Sequence, residues 1–439
     1  MDTIFAQASG VGRAGVVVIR ISGVRAGDAL CALNDGALPA PRHASLCTLR
    51  NPSTGETIDR ALVLWFPAPH SFTGENVAEL HLHGSTAVVQ EMTRILSGMA
   101  GVRLAEPGEF SRRAFENGKM DLAQAEGLAD LIEATTSAQR KQALRQMDGE
   151  LTRLYESWRA ALVKTLAYLE AYVDFPDEDL PPELEQQIQH NAGELRDAIA
   201  AHLADTRGRR IREGVYVAIV GAPNVGKSSL INALARREVA IVSPEAGTTR
   251  DALEAHLDIG GVPVTLCDTA GLREAGGTIE AEGIRRTRAR AEMSDIKICM
   301  FEAGREADPE TLALVDGASL VVVNKIDTYP ALPTGGDVLL LSITTGQGVD
   351  ALIDALAARV QSLAGLTEPP AFTRERHRAA LSAGHAALEH FLAGGNAPDS
   401  IECRAEDLRA AAQSLGSIAG RIGVEELFDT IFSSFCIGK

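Results

Sequence analysis

The stretch "GAPNVGKS" at 221–228 spaces two glycines, a lysine and a hydroxyl as G-x-x-x-x-G-K-S. That spacing lets loop N–H groups and a helix N-terminus close around phosphate oxygens. Lys227 is placed to reach β- and γ-phosphates, and the Ser228 hydroxyl to ligate Mg²⁺. Further along, Asp268 of "DTAG" at 268–271 is expected to hold Mg²⁺ through water, with the Gly271 N–H sensing a γ-phosphate. Between these motifs "AGTTRD" offers Thr249 as a hydroxyl that closes on Mg²⁺ when a triphosphate is present. "NKID" at 324–327 selects the base. The Asp327 carboxylate can accept from both N1–H and the exocyclic amine of guanine, whereas adenine presents the wrong pattern. Asn324 is expected to reach the purine and Lys325 to cover its ring. Together these motifs predict GTP binding.

The last guanine-contacting loop belongs at "SIT", 342–344, where translation-factor-type GTPases, which these motifs resemble, usually have S-A-K or S-A-R; Ile343 and Thr344 depart from that. Hydrolysis needs an oriented water, and the Ras-like template uses a glutamine directly after D-x-x-G. That place holds Leu272, which cannot hydrogen-bond. The segment "EAGGTIEAEG" supplies Glu274, Glu280 and Glu282, which either orient the water or are solvated loop charges. The Asn224 carbonyl can hold a monovalent cation close to the phosphates, where it would stabilise developing charge.

The elements that must position these residues follow from pattern. "VYVAIVG" from 215 is a buried strand leading into the glycine loop, and "VPVTLCDTAG", "DIKICMF", "SLVVVNK" and "DVLLLSI" alternate with helical stretches to about 365. Such alternation predicts a doubly wound parallel sheet. Residues 1–118 alternate β-rich runs ("GVVVIRISG", "ALVLWFP", "NVAELHLHG") with Gly/Pro loops and a helical stretch near 85–99, an α/β or α+β pattern. From 119 the spacing turns helical: Leu144, Met147, Leu151, Leu154, Trp158, Leu162, Leu166 and Leu169 predict one long amphipathic helix. "DFPDEDLPPE" breaks it and a further helix runs to about 207; after "LTEPP" the chain is again helical. The expected fold is multidomain α/β and α: an N-terminal α+β domain, then a helical domain interrupted by an inserted Ras-like doubly wound P-loop domain. The boundaries fall at 1–118, 119–210, 211–366 and 367–439.

Bulk properties narrow the classes. With 42 basic against 59 acidic residues, net −17, tight independent nucleic-acid binding is not the default, and "RRIR" at 209–212 reads more readily as a solvated linker. No apolar run approaches the ~18 residues of a membrane helix, and "MDTIFAQASG" lacks a basic n-region, so no membrane or secretory role is expected. The six cysteines show no CxxC spacing, which argues for a reducing cytoplasm over zinc or disulfides. Strand alternation places Glu79, His81 and His83 on one side, a metal-ligand geometry that hydrogen-bonded histidines on a half-buried strand share. The tail "FSSFCIGK" carries Cys436 and Lys439; a prenylation box is excluded because Gly438 is not aliphatic.

At nearly full length the chain resembles the MnmE (TrmE) family of tRNA modification GTPases. The blocks "GRAGVVVIRISG", "LWFPAPHSFTGENVAELHLHG", "RLAEPGEFSRRAFENGKMDLAQAEGLADLI", "FPDED", "GAPNVGKSSLINAL", "AIVSPEAGTTRD", "DTAGLRE" and "FSSFCIGK" stand in the family's order. The resemblance implies a folate-binding, dimerising N-terminal domain, a helical domain and an inserted GTPase (G) domain. It implies a homodimer joined by the flavoprotein MnmG (GidA) into a heterotetramer, which modifies carbon 5 of the wobble uridine of certain tRNAs. An aminomethyl or carboxymethylaminomethyl group is added, with one carbon from a tetrahydrofolate (5-formyl- or methylene-THF) and FAD in the partner.

The resemblance also assigns residues. Nucleotide contacts fall on Asn224, Val225, Gly226, Lys227, Ser228 and Ser229, and on Ser243, Pro244, Glu245, Ala246, Gly247, Thr248 and Thr249. Further ones fall on Asp268, Thr269, Ala270 and Gly271, and on Asn324, Lys325, Asp327, Ser342, Ile343 and Thr344. Mg²⁺ falls to Ser228 and Thr249, and a stimulating K⁺ to Asn224, Ser243, Glu245 and Thr248; Glu280 becomes the water-orienting acid. Folate contacts fall on Arg20, Glu79, Lys119 and Lys439. Arg20 or Lys119 can pair glutamyl carboxylates, and Glu79 suits pterin donors. Cys436 then stands near the one-carbon donor as a nucleophile or redox contact, or is part of a terminus merely packed on the core. Ser85 replaces a family glycine. A second reading, a GTP-switched ribosome-assembly factor, calls for a basic RNA-binding segment, which the C-terminal helices do not supply.

Overall fold

The computed structural model describes residues 2–174, 182–237, 239–240, 254–268, 292–329, 338–365, 372–394, 401–420 and 438. Two compact units divide the chain: Met1–Ala129 with Tyr155–Arg159 and Ala412–Lys439, and Asp130–Leu154 with Ala160–Ala411.

The first unit is built on β1 (Thr3–Gln7), β2 (Ala14–Ser22), β3 (Ser45–Arg50), β4 (Thr57–Phe66), β5 (Val77–Gly84) and β6 (Val102–Leu104). Their order is β3-β4-β5-β2-β1-β6, antiparallel except for the β1–β6 pair. Period-two alternation gives the sheet two different faces. One buries Phe5, Val17, Ile19, Ile21, Leu80 and Leu82 with α1 (Ala26–Leu33) and α2 (Thr86–Ser97). The other carries Ile4 and Ala6 packed with Phe110 of α3 (Glu109–Glu116), and beside them Arg20 and Glu79. Ser85 is the N-cap of α2, its Oγ accepting from the Val88 N–H at 3.2 Å.

The C-terminal segment belongs to this unit. The Leu122 N–H, at the start of α4 (Leu122–Glu133), donates to Ala419 O at 3.5 Å. Further on, Gly438 is buried at φ +98°, where a Cβ would meet the Gln7 carbonyl oxygen at 2.1 Å and Ala8 Cα at 3.1 Å. Only glycine can approach β1 so closely.

Periodicity predicts one helix through residues 144–169, and here the structure differs. α5 (Ser137–Met147) ends before Gly149 at φ +75°, and α6 (Glu150–Asp174) starts afresh. The left-handed glycine just past the helix end is the usual terminator, and a register of leucines does not reveal it.

The second unit holds a seven-stranded sheet: β7 (Val215–Gly221), β8 (Val239–Ala240), β9 (Glu254–Ile259), β10 (Val262–Asp268), β11 (Ile296–Glu302), β12 (Ser319–Asn324) and β13 (Val338–Leu340). The order is β13-β12-β11-β7-β10-β9-β8, parallel from β13 to β10. From the central β7 the chain runs out to one side and then the other, a switch point that leaves a crevice at the strand C-termini. Val217, Ile219, Leu266, Ile298 and Val322 form the core with Leu230 and Leu234 of α9 (Lys227–Arg237). Near-continuous apolar runs mark strands covered on both faces.

Helices α7 (Pro182–Ala204) and α8 (Arg207–Glu213) precede the sheet. At α5 the Thr136–Gln139 capping box fixes the helix start, the Ala138 N–H donates to Gly261 O at 2.9 Å and Gln139 Nε2 to Arg212 O at 3.0 Å. Asp130 receives Arg374 Nη2 at 2.6 Å and lies 3.5 Å from Arg212 Nε. Among the described residues no helix is long and apolar enough to cross a membrane.

Candidate functional site

The phosphate-loop residues gather where β7 turns into α9. Asn224 (φ +61°) and Gly226 (φ +114°) both take left-handed conformations, which bends successive N–H groups toward one side, the geometry of an anion nest. Lys227 is buried, and its Nζ donates to Gly221 O at 2.8 Å and Ala222 O at 3.0 Å, so the ammonium is held across the loop mouth. Val225 is buried beneath the loop, while Asn224, Ser228 and Ser229 are exposed.

The side where the sequence places base selection is built on Asn324, at the end of β12 and 3% exposed. Its Nδ2 donates to Val225 O at 2.8 Å, and its Oδ1 accepts from the Ile343 N–H at 3.3 Å. One carboxamide thus ties the phosphate loop to the loop after β13. Gly226 is required by this bridge, because a Cβ there would sit 2.6 Å from Asn324 Nδ2 and 3.3 Å from Ile343 Cδ1. Sequence reasoning assigned Asn324 to the purine and missed the bridge. Asp327 is exposed on a single 3₁₀ turn, Ile326–Thr328, entered through Lys325 at φ +66°, and Lys325 Nζ pairs with Glu302 at 3.1 Å. Ser342 is fully buried, with its Oγ accepting from the Thr345 N–H at 3.2 Å. The Ser342 N–H also donates to Gln347 O and the Gly346 N–H to Ser342 O, both at 2.9 Å, and none of these bonds uses the side chain of Ile343 or Thr344.

Asp268 is the last residue of β10, in parallel register with Ile219 on β7. Ser243, Pro244, Glu245, Ala246, Gly247, Thr248 and Thr249 lie outside the described residues, as do Thr269, Ala270, Gly271, Leu272, Glu274, Glu280 and Glu282.

In the first unit, Arg20 on β2 and Glu79 on β5 are register partners, and both Nε and Nη2 of Arg20 approach Glu79 Oε1 at 2.9 Å. The guanidinium lies 5.3 Å from the Phe72 ring centroid and 5.8 Å from that of Phe110. Ala6, across from Arg20, precedes the Gln7–Ala8 backbone that Gly438 packs against, so Gly438 lies one strand from the Arg20–Glu79 pair. Lys119 is exposed, and its Cε lies 3.1 Å from where a Cβ on Gly74 would fall, in the loop that also holds Phe72. Cys436 and Lys439 lie outside the described residues.

Glu79, His81 and His83 do not assemble as a metal trio: His83 Nδ1 is 2.7 Å from Asp59 Oδ1, and no metal-ligating cluster exists among the described residues. His81 Nε2, by contrast, is buried without a hydrogen-bond partner among the described residues. The Arg20–Glu79 pair, the half-buried Phe72 ring and the unmet His81 nitrogen thus share one sheet face, a polar and aromatic combination suited to a flat polar ring.

Below this face Arg113 and Arg103 bind Glu109, through Nη2 of each, at 2.9 and 2.6 Å, and Arg113 reaches Glu75 at 3.1 Å. Burial would push the Glu109 carboxyl up. Arg103, the Glu106 N–H and Arg113 outweigh it, and hold the group at about 2.

Two family models cover the chain: "MnmE helical domain" matches residues 122–436, and "GTP-binding protein TrmE N-terminus" matches 3–119. The chain belongs to the MnmE (TrmE) family. The tRNA modification GTPase MnmE of Parvibaculum lavamentivorans is 55% identical over 440 residues, covering 100% of both chains. That of Paramagnetospirillum magneticum is 53% identical over 445 residues, again 100% of both. The human mitochondrial 5-taurinomethyluridine-[tRNA] synthase subunit GTPB3 is 47% identical over 465 residues, covering 100% of this chain and 93% of its own. In this chain the nucleotide motifs are readable from spacing alone; the Asn324 bridge, and a His81 Nε2 with no hydrogen-bond partner among the described residues, require the fold.

Proposed function

We propose that the protein is a GTP hydrolase that acts with the flavoprotein MnmG (GidA) in the cytoplasm. Together they add an aminomethyl or carboxymethylaminomethyl group to carbon 5 of the wobble uridine of certain tRNAs. The observation that carries the reading is the end-to-end match to relatives named tRNA modification GTPase. The domains are 1–118 for folate and dimerisation, 119–210 with 367–439 as the helical domain, and 211–366 for GTP.

In the G domain, Lys227 and the loop N–H groups neutralise phosphate charge, and Asp327 reads guanine. Ser228 and Thr249 are the Mg²⁺ donors, and the metal supplies Lewis-acid charge to the phosphates when bound. Asn224, Ser243, Glu245 and Thr248 would hold a K⁺, which would supply positive charge where an arginine finger acts in other enzymes. Leu272 leaves the attacking water to Glu280. In the first unit, Arg20 and Lys119 bind folate carboxylates, Glu79 takes pterin donors, and the tail brings Cys436 and Lys439 to the same face. The seat of Gly438 against Gln7 and Ala8 supports that placement of the tail.

Reconstitution tests the proposal. The purified chain, its FAD-loaded flavoprotein partner, unmodified tRNA, methylene-tetrahydrofolate, GTP, Mg²⁺ and K⁺, with ammonium or glycine as the amine donor, are expected to yield the modified wobble nucleoside by mass spectrometry. Equal yield without GTP or without folate overturns it.

A further inference from the structure

We propose that His81 is a specificity residue of the folate pocket: its Nε2 and Glu79 Oε2 together form a two-point reader of the pterin ring edge. This rests on the folate reading above and adds a contact to it. Glu79 and His81 are two apart on β5 and face the same side of the sheet. Arg20 Nε donates to Glu79 Oε1 at 2.9 Å, and Nη2 stands 2.9 Å from the same oxygen. That fixes the carboxylate and turns its other oxygen toward His81, whose Nε2 stands 3.7 Å away. The gap is beyond hydrogen-bond reach. Nε2 is also buried and has no hydrogen-bond partner among the described residues.

A buried polar atom without a partner destabilises the fold, so one kept on a sheet face beside an ion pair points to a ligand that completes it. A carboxylate oxygen only accepts, while an imidazole Nε2–H donates. Side by side, they match a ring N–H next to a carbonyl, the lactam edge of a pterin. Phe72, half-buried and 5.3 Å from the Arg20 guanidinium, supplies aromatic surface on the same face for a flat heterocycle, with the buried Phe110 beneath Arg20 at 5.8 Å. His83 is no competitor, because its Nδ1 is already engaged by Asp59 at 2.7 Å.

Calorimetry on the full chain tests this with two probes. 5-Formyl-tetrahydrofolate carries the pterin; p-aminobenzoylglutamate carries the carboxylates without it. H81L is expected to weaken 5-formyl-tetrahydrofolate about tenfold, the effect of one lost ligand hydrogen bond. It should leave p-aminobenzoylglutamate within about twofold, since those contacts do not involve His81. H81Q, whose amide nitrogen reaches about as far as Nε2, should recover binding to within about threefold. On the wild-type chain labelled with ¹⁵N-histidine, the Nε2 resonance of His81 should move on saturation with 5-formyl-tetrahydrofolate. Unchanged affinity in H81L, equal loss for both probes, or an unmoved resonance overturns the proposal while leaving the folate reading intact. A wild-type chain that does not bind 5-formyl-tetrahydrofolate at all brings down both.

Discussion

Replacing Asn324 by alanine removes two hydrogen bonds from a residue that is 3% exposed: the donation to Val225 O at 2.8 Å and the acceptance from the Ile343 N–H at 3.3 Å. Each backbone group left buried without a partner costs about 1–3 kcal/mol. The longer bond belongs at the low end, so the pair together is worth about 2–4 kcal/mol. Because the bridge spans the phosphate loop and the loop after β13, its loss should loosen both sides of the nucleotide site. Stopped-flow release of a fluorescent GDP analogue should be about 10- to 100-fold faster in N324A, as part of that energy appears in the bound state. The nucleotide-free chain should also unfold at lower temperature, which loss of a base contact alone would not produce. N324D keeps the acceptor for Ile343 but turns a carboxylate oxygen onto the Val225 carbonyl, and is expected to be at least as damaging. Release within threefold of wild type, together with an unshifted nucleotide-free melt, would refute the bridge.

Potassium should accelerate GTP hydrolysis well beyond sodium, given Asn224 in the loop and Leu272 where a glutamine would orient water; equal turnover in the two salts removes the cation from the account. Glu280→Ala is expected to abolish most turnover with GTP affinity nearly kept, measured as single-turnover hydrolysis beside equilibrium binding. Glu109 has a folded pKa lowered from 4.5 to about 2, so its stabilisation is fully present above about pH 4.5 and is lost as pH falls through 2. E109Q should therefore cost about 2–3 kcal/mol at pH 7 by denaturant unfolding, with the difference from wild type shrinking below pH 4.5 and gone near pH 2; a gap that persists at pH 2 contradicts the ion-pair origin.

What the sequence made legible is what is local in the chain. The phosphate loop can be read because its glycines, lysine and serine are set by the path of one turn between a strand and a helix. The α2 stretch and the strands β2, β4 and β5 were legible because alternation and helical spacing report burial directly. Asn324 is a different case: its partners are 99 and 19 residues away, and only strand order brings them together. Arg20 and Glu79 are likewise 59 residues apart and meet through the β2–β5 register. The break at Gly149 was missed because leucine spacing continues across it, although a glycine at that point is itself a helix-end signal. The asymmetry between His81 and His83 was also hidden, since alternation places them identically and only Asp59 tells them apart.

The wobble nucleosides of a strain deleted for this chain, and complemented in turn with wild type, K227A and R20A, test most directly whether nucleotide turnover and the Arg20 site serve one reaction. Mass spectrometry should show carbon 5 of the wobble uridine unmodified in the deletion, restored by wild type, and unrestored by either variant. Modified wobble uridines in the deletion strain, or full restoration by both variants, would contradict a chain in which nucleotide turnover and a folate pocket serve one reaction.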